Sequence, residues 1–131
     1  MKRFATGLAV LAAAGVAHAA DVPVETAENG AHAVTLHLHA FLSPEELATL
    51  RLVMSNEQAL AIFVPAKDGF AAMAVSPDDG FIRDGKPVPS AMALAGIETA
   101  EAASAEAIKA CDAARKGKAP CVLVLAVGPK G

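Results

Sequence analysis

The stretch ETAEAASAEAIKACDAARKGKAPCVLVLAV, residues 98–127, decides the predicted fold because a helix, a tight turn and a strand follow each other within it. Residues 100–115 are rich in alanine and contain no proline or glycine, a composition that favours a helix. Thr99 is a suitable N-cap, and Gly117 is a suitable stop after the last turn. The CVLVLAV run that follows is apolar and β-branched, as is typical of a strand buried within a sheet.

Both cysteines of the chain lie in this C-terminal module. Alanines at helical spacing place Cys111 on the inward face of the helix, and Cys121 returns at the start of the strand. We therefore predict a Cys111–Cys121 disulfide, which chain-entropy arguments value at about 2.5–3 kcal/mol. A redox pair is the alternative, but the spacing differs from the C-x-x-C of reactive thiols, and a helix C-terminus disfavours a thiolate.

The N-terminus has the pattern of a secretory signal peptide. Two basic residues at positions 2–3 precede an apolar segment at 4–16 that is too short to span a bilayer, and AHA at 17–19 is an A-x-A cleavage site. We expect residues 1–19, including His18, to be removed on export to a bacterial periplasm or beyond. The oxidising destination favours the disulfide.

Removal of 19 of the 131 residues leaves a chain long enough for one domain with a single core. Residues 20–31 are acidic and lack periodicity, so we interpret them as a loose N-terminal arm that precedes a single domain at 32–131. The formal net charge is −3 and no dense basic patch is visible, which argues against a nucleic-acid partner. No second long apolar segment predicts a membrane span in the mature chain.

The middle of the chain contains further strand and helix patterns. Residues 33–42 alternate between apolar and polar side chains, as in a half-exposed strand. The SPEE sequence at 43–46 is a capping box that opens a helix. QALAIFV at 58–64 and FAAMAVS at 70–76 are predicted to form an antiparallel hairpin, and residues 90–97 a further strand.

These patterns give the order strand, helix, strand, strand, strand, helix, strand. We predict an α+β domain with a small, mostly antiparallel sheet and two helices on one face. This arrangement is compatible with a ferredoxin-like split βαβ.

AMAVSP at 72–77, the alanine-rich helix that ends in Cys111, and PCV at 120–122 form a pattern of their own. It resembles a group of small exported bacterial proteins with two cysteines and no established activity. Some chains of this appearance carry an inherited label of 5-aminolevulinate synthase. The residues argue against that activity, because such a pyridoxal-phosphate enzyme needs a far larger fold, a Schiff-base lysine and a phosphate-binding cup.

His37 and His39 are the most specific chemical signal in the sequence. On a strand, residues two apart share a face with their Cα atoms roughly 6.5–7 Å apart, so two imidazoles could bind one Zn²⁺ or Cu²⁺. His32, or an acid such as Glu25 or Glu28, could supply a third ligand. The alternative is that the two histidines decorate the solvent face of an edge strand.

Catalytic patterns are absent from the sequence. There is no G-x-S-x-G motif, Ser43 is better explained as a helix cap, and the acidic pair Asp78-Asp79 suggests a turn because the fuller D-x-D-x-D-G spacing of a calcium loop is missing. We predict no catalytic residues.

The loop RDGKP at 83–87 contains both charges as well as glycine and proline, and binding residues concentrate on such loops. Arg83, Asp84 and Lys86 are therefore candidate recognition residues. The predicted function is a non-catalytic exported binding or accessory domain, held by one disulfide, for a protein or small-molecule partner. A periplasmic metal-binding protein using His37 and His39 is the alternative.

Overall fold

Seven strands and three helices follow each other along residues 22–65 and 68–130, the part of the chain that the computed structural model describes. The predicted signal peptide lies outside these residues. The helices are α1 (Pro44–Ser55), α2 (Glu57–Phe63) and α3 (Ala100–Ala114). The strands are β1 (Val24–Asn29), β2 (His32–His37), β3 (Phe70–Val75), β4 (Ile82–Arg83), β5 (Lys86–Pro87), β6 (Met92–Ile97) and β7 (Val122–Pro129).

Five strands form one sheet in the order β1-β2-β7-β3-β6, and each neighbouring pair is antiparallel. β2 and β3 therefore run in the same direction with β7 between them, and α1 and α2 connect them. In the same way β6 and β7 run parallel with β3 between them, and α3 connects them. Both helical connections are thus split βαβ units, and the predicted α+β class with a mostly antiparallel sheet is confirmed.

The two predicted helices, α1 and α3, lie on opposite faces of the sheet and not on one face as expected. Along β3, Ala71, Met73 and Val75 pack into the core under α1 and α2. The alternate residues, Ala72 and Ala74, pack against α3 instead. Successive side chains of a strand point to opposite faces, so a strand that is buried at every position from Ala71 onward must be covered on both.

Small side chains explain the close approach of α3. Ala103 and Ala107 are fully buried against Ala72 and Ala74 of β3, so alanine faces alanine across this layer. The larger apolar side chains collect on the other face, beneath α1 and α2, where the main core lies. The alternation within FAAMAV thus places Ala72 and Ala74 against α3, and Met73 and Val75 in the main core.

The segment predicted as a strand at 58–64 is helix α2, which corrects the expected hairpin. Asn56 caps this helix, because its side-chain oxygen accepts a hydrogen bond from the Ala59 N–H at 2.9 Å. A short apolar run has no decisive period, and the cap together with good helix formers favours the helix here. β3 pairs instead with β6 and β7.

The interpretation of residues 20–31 as a loose arm is wrong for β1, which pairs with β2 along its whole length. Asn29 is buried, and its side-chain amide donates a hydrogen bond to the Val53 carbonyl at 2.9 Å. Glu25 forms an ion pair with Arg51 at 2.7 Å. β1 lies at the edge of the sheet and is held mainly by its backbone pairing with β2. Its sequence therefore does not need a regular alternation of apolar residues, the pattern by which a strand is predicted.

The capping box and the disulfide are both confirmed. The Ser43 hydroxyl accepts from the Glu46 N–H at 3.1 Å, and the Glu46 carboxylate accepts from the Ser43 N–H at 2.9 Å. Cys111 of α3 and Cys121, which immediately precedes β7, are bonded, with their Cα atoms 6.1 Å apart, and both are buried. Within the described part of the chain, no helix has the length and apolar character that a membrane crossing requires.

Candidate functional site

Three connecting segments meet around a cleft of about 320 Å³. They are the turn after β3, the region of the β4–β5 hairpin, and the loop after α3. The lining residues combine both charges with a small apolar wall. They are Asp78, Asp79, Arg83, Val88, Pro89, Ser90, Ala114 and Lys116.

The turn after β3 supplies the two acidic side chains of the cleft. Ser76 and Pro77 follow the end of β3. The N–H of Gly80 donates to the Ser76 carbonyl at 2.8 Å, and this hydrogen bond closes the turn. The Ser76 hydroxyl is fully buried and accepts from the Asp79 N–H at 3.3 Å. Asp78 and Asp79 are thereby directed at the loop that follows α3.

Each of the two carboxylates holds backbone of that loop. Oδ2 of Asp78 accepts from the N–H groups of Lys118 and Ala119 at 2.9 and 3.0 Å. Oδ2 of Asp79 accepts from the Lys116 N–H at 2.8 Å and from the Ser90 hydroxyl at 3.2 Å. The hydrogen bond from the Lys116 amide is the main cause that lowers the pKa of Asp79.

Asp112 completes the attachment of the loop between the two cysteines. Its Oδ1 accepts from the Cys121 N–H at 2.8 Å and from Nε of Arg115 at 2.9 Å. The Cys121 amide, followed by the side chain of Arg115, lowers the pKa of Asp112. Arg115 in turn donates to the Gly117 and Lys118 carbonyls. The wall of the cleft that contains Lys116 is therefore fixed by hydrogen bonds as well as by the disulfide.

Glu46 positions the opposite wall although it lies on α1. Its side chain is fully buried, and Oε2 accepts from the N–H groups of Phe81 and Ile82 at 2.8 and 3.0 Å. Burial alone would raise the pKa of Glu46, but the amides of Ser43, Ile82 and Phe81 and the charge of Arg83 outweigh it, and the pKa is lowered. The carboxylate therefore stays ionised and anchors the start of the β4–β5 hairpin.

Of the predicted recognition residues, the structure brings only Arg83 to the cleft. Asp84 and Gly85 have φ values of 55° and 73°, as in the type I′ turn of a two-residue hairpin, and they lie with Lys86 at an exposed tip. The Arg83 side chain is about half exposed and folds back, with its guanidinium 3.5 Å from Glu46 and 3.4 Å from the Asp78 carbonyl. Asp84 and Lys86 are exposed but do not line the cleft.

The cleft presents a hydroxyl, two carboxylates and two cationic groups. The Ser90 hydroxyl donates to a carboxylate whose pKa is lowered, and such a group is a weak base at neutral pH. No histidine or cysteine is among the residues that the structure places around the cleft. The ammonium of exposed Lys116 and the outer edge of the Arg83 guanidinium remain available to an incoming anionic group, beside the apolar surfaces of Val88 and Pro89.

The histidines predicted as metal ligands lie elsewhere, at the end of β2. The rings of His37, His39 and Phe41 stack in succession, with centroids 6.3 and 5.3 Å apart. Nε2 of His39 lies 2.8 Å from the Leu123 carbonyl oxygen, which can only accept, so this nitrogen carries the hydrogen. Burial, and then the charge of His39, lowers the pKa of His37 and favours its neutral form.

The other predicted ligands are not brought to this pair. His32 stands five residues from His37 along β2, a span of about 16 Å. Glu25 is paired with Arg51, and Glu28 lies 3.8 Å from Lys130. Across residues 22–65 and 68–130 no three or more His, Cys, Asp or Glu side chains form a group that could hold a metal ion.

Asp78, Asp79, Ser90 and Lys116 were missed as site residues. The PDDG sequence was correctly interpreted as a turn, but its hydrogen-bond partners lie about 40 residues further along the chain, and no local pattern reveals such partners. Comparisons with protein-family models, with curated proteins and with solved structures found no match to this chain.

Proposed function

We propose that the protein is an exported, non-catalytic binding domain whose ligand enters the cleft between Asp78 and Lys116. The observation that carries this proposal is that two cationic residues, Lys116 and Arg83, line a cleft whose backbone walls are fixed by hydrogen bonds to carboxylates. A site in which little must be ordered on binding loses little affinity to conformational entropy.

Export is part of this proposal. The signal-peptide pattern at residues 1–19 supports it, and so does the Cys111–Cys121 disulfide, because structural disulfides persist in oxidising compartments. If the protein is exported, the form recovered from the periplasm should begin at Ala20. Recovery of the full-length chain in the cytoplasm, with both thiols free, would contradict this part.

The lining of the cleft indicates the class of ligand. One anionic group would be attracted to Lys116 and Arg83, and an apolar part would contact Val88 and Pro89. Asp78 and Asp79 disfavour a ligand with several negative charges. A small molecule or a peptide end with a single carboxylate and an aliphatic group fits these constraints.

N-acetylated aliphatic amino acids carry these two groups and can serve as the probe in an NMR titration of the ¹⁵N-labelled protein. We expect shifts of the amides around Asp79, Ser90 and Lys116. Lys116→Ala should weaken binding by about tenfold, as expected for loss of a charged hydrogen bond. Lys86→Ala, which changes a lysine of the same region outside the cleft, is the control. Equal losses in the two variants, or shifts confined to another surface, would refute the site.

A metal-binding function is the second candidate, favoured by the 6.3 Å separation of the His37 and His39 rings and by the lowered pKa of His37. Neutral imidazole is the form that binds metal. Calorimetric titration with Zn²⁺ or Cu²⁺ tests it. Stoichiometric binding that is lost in His37→Ala/His39→Ala and kept in His32→Ala would support this candidate, and binding unchanged in the double variant would exclude it.

A further inference from the structure

The two outer edges of the sheet differ in how they are protected. β1 carries Glu25 and Glu28, which are paired with Arg51 and Lys130. β6, at the other edge, has the sequence MALAGI, with no charged residue and no proline. Charged side chains and prolines are the usual means by which proteins prevent an edge strand from pairing with another chain. β6 therefore lacks these two means of protection.

β6 has backbone groups that remain to be paired. Among the described strands it bonds to β3 alone, so alternate N–H and C=O groups point away from the sheet. The pairing with β3 shifts register between Phe70 and Ala72, and Gly96 has a φ of 73° in the opposite segment. This irregularity confines the regular outer edge to residues 92–94.

An apolar groove adjoins the same edge on the face covered by α1 and α2. Its volume is about 620 Å³, and Ala93 of β6 contributes to its lining together with Leu52, Ile62 and Phe63. Ile62 is 85% exposed and Leu52 is 53% exposed, two of the most exposed large hydrophobic residues of the described chain. A free strand edge and an exposed apolar surface thus lie side by side.

We propose that a second copy of this chain covers this edge, through antiparallel pairing of β6 with β6 about a two-fold axis. An extended segment is what completes a strand edge, and the uncharged β6 is complementary to itself because no like charges face each other across the axis. Antiparallel edge pairing has its axis perpendicular to the sheet. The α1/α2 faces of both copies then lie on the same side, where Leu52 and Ile62 of each copy adjoin the groove of the other.

The dimer is expected to be weak and dependent on concentration. The paired segment is short, so we expect an interface at the low end of the size range of protein–protein contacts. The proposal is independent of the proposed function, because Leu52, Ile62 and β6 are not among the residues that line the charged cleft.

Sedimentation equilibrium over a concentration series, with the disulfide intact, tests this inference. We expect a reversible monomer–dimer equilibrium in the unmodified protein. Ala93→Lys places a charge on the exposed edge and should raise the dissociation constant at least about tenfold, which corresponds to about 1.4 kcal/mol. Ile62→Ser should weaken association in the same direction. Thr26→Lys introduces the same charge on the opposite edge strand and should leave the equilibrium unchanged.

Two further readouts separate this contact from other modes of association. Amide hydrogen exchange of residues 92–94 should slow as protein concentration rises. An equimolar mixture of Ala93→Lys and Ala93→Glu should recover association that neither variant shows alone, because the two-fold axis brings position 93 of the two copies close together. A monomer at every concentration, or a dimer that Thr26→Lys weakens and Ala93→Lys does not, would overturn the proposal.

Discussion

The carboxylate of Glu46 accepts the backbone N–H of Phe81 at 2.8 Å, although the two residues are 35 positions apart and the glutamate is fully buried. The same side chain completes the capping box of α1 with its other oxygen. One residue therefore links the start of a helix on one face of the sheet to the hairpin that carries Arg83 into the cleft. Its loss should affect both stability and the geometry of the cleft.

Glu46→Ala is expected to lower the free energy of unfolding by about 3 kcal/mol, because it leaves buried N–H groups at Phe81 and Ile82 without an acceptor. Urea denaturation measures this difference. Glu45→Ala, which alters the exposed neighbouring glutamate of the same helix turn, is the matched control and should change stability little. Similar losses in both variants would mean that the effect belongs to the helix N-terminus and not to the buried hydrogen bonds.

Acid should destabilise the protein through Glu46, Asp79 and Asp112. Their pKa values are lowered in the folded state from ordinary values of 4.5 for glutamate and 3.8 for aspartate. Their contribution is therefore complete above those ordinary values and is lost as the pH falls through the folded-state pKa values. Urea midpoints measured from pH 6 to pH 2 should decline below about pH 4.5. Asp112→Asn should make the decline shallower, and an unchanged slope would contradict the role of this carboxylate.

His37 should produce a separate pH effect nearer neutrality. Its pKa is lowered from 6.5 in the folded state, so the unfolded chain binds the proton more readily. The contribution of neutral His37 to stability is fully present above pH 6.5. It is lost as the pH falls from 6.5 through the pKa that His37 has in the folded state. His37→Gln should remove this component while the loss at lower pH remains. NMR titration of the His37 ring checks the direction directly, and a pKa at or above 6.5 would refute it.

Removal of the disulfide should destabilise the fold without abolishing it. The bridge closes a short loop, with a sequence separation of 10, for which chain entropy predicts about 2.5–3 kcal/mol. In the double variant Cys111→Ala/Cys121→Ala, the carboxylates of Asp78 and Asp112 should still accept hydrogen bonds from backbone amides of the same loop. We expect a lower urea midpoint with an unchanged amide pattern around Lys118 and Ala119. Loss of those amide signals would show that the carboxylates cannot hold the loop alone.

A side chain at Gly80 should reduce stability. Its φ is 70°, and the Arg83 guanidinium occupies the space that a Cβ atom would take. Gly80→Ala should displace Arg83 and destabilise the protein by about 1–2 kcal/mol, since an alanine is strained at positive φ. Gly85→Ala is the control, because its φ is also positive, at 73°, but nothing lies within 4 Å of the added atom. The loss of stability should be larger at Gly80 than at Gly85, and equal losses would show that backbone strain alone decides the effect.

The structural features that the sequence by itself determined are local ones. Helix α3, strand β7 and their bridge follow from alanine content, a β-branched run and two cysteines ten positions apart. The capping box at Ser43 and Glu46 needs only a spacing of three residues. In each case the interacting groups are neighbours along the chain, so propensity and spacing suffice to predict them.

The tertiary structure decided whatever depends on distant partners. β1 is a strand because β2 offers it a backbone ladder, and α3 lies opposite α1 because alternate residues of β3 are covered by different helices. The cleft exists because carboxylates of one loop accept amides about 40 residues away. Every residue type except proline offers the same backbone N–H, so the sequence carries no signal of which carboxylate will reach it. Which carboxylate meets which backbone amide depends on how the whole chain packs.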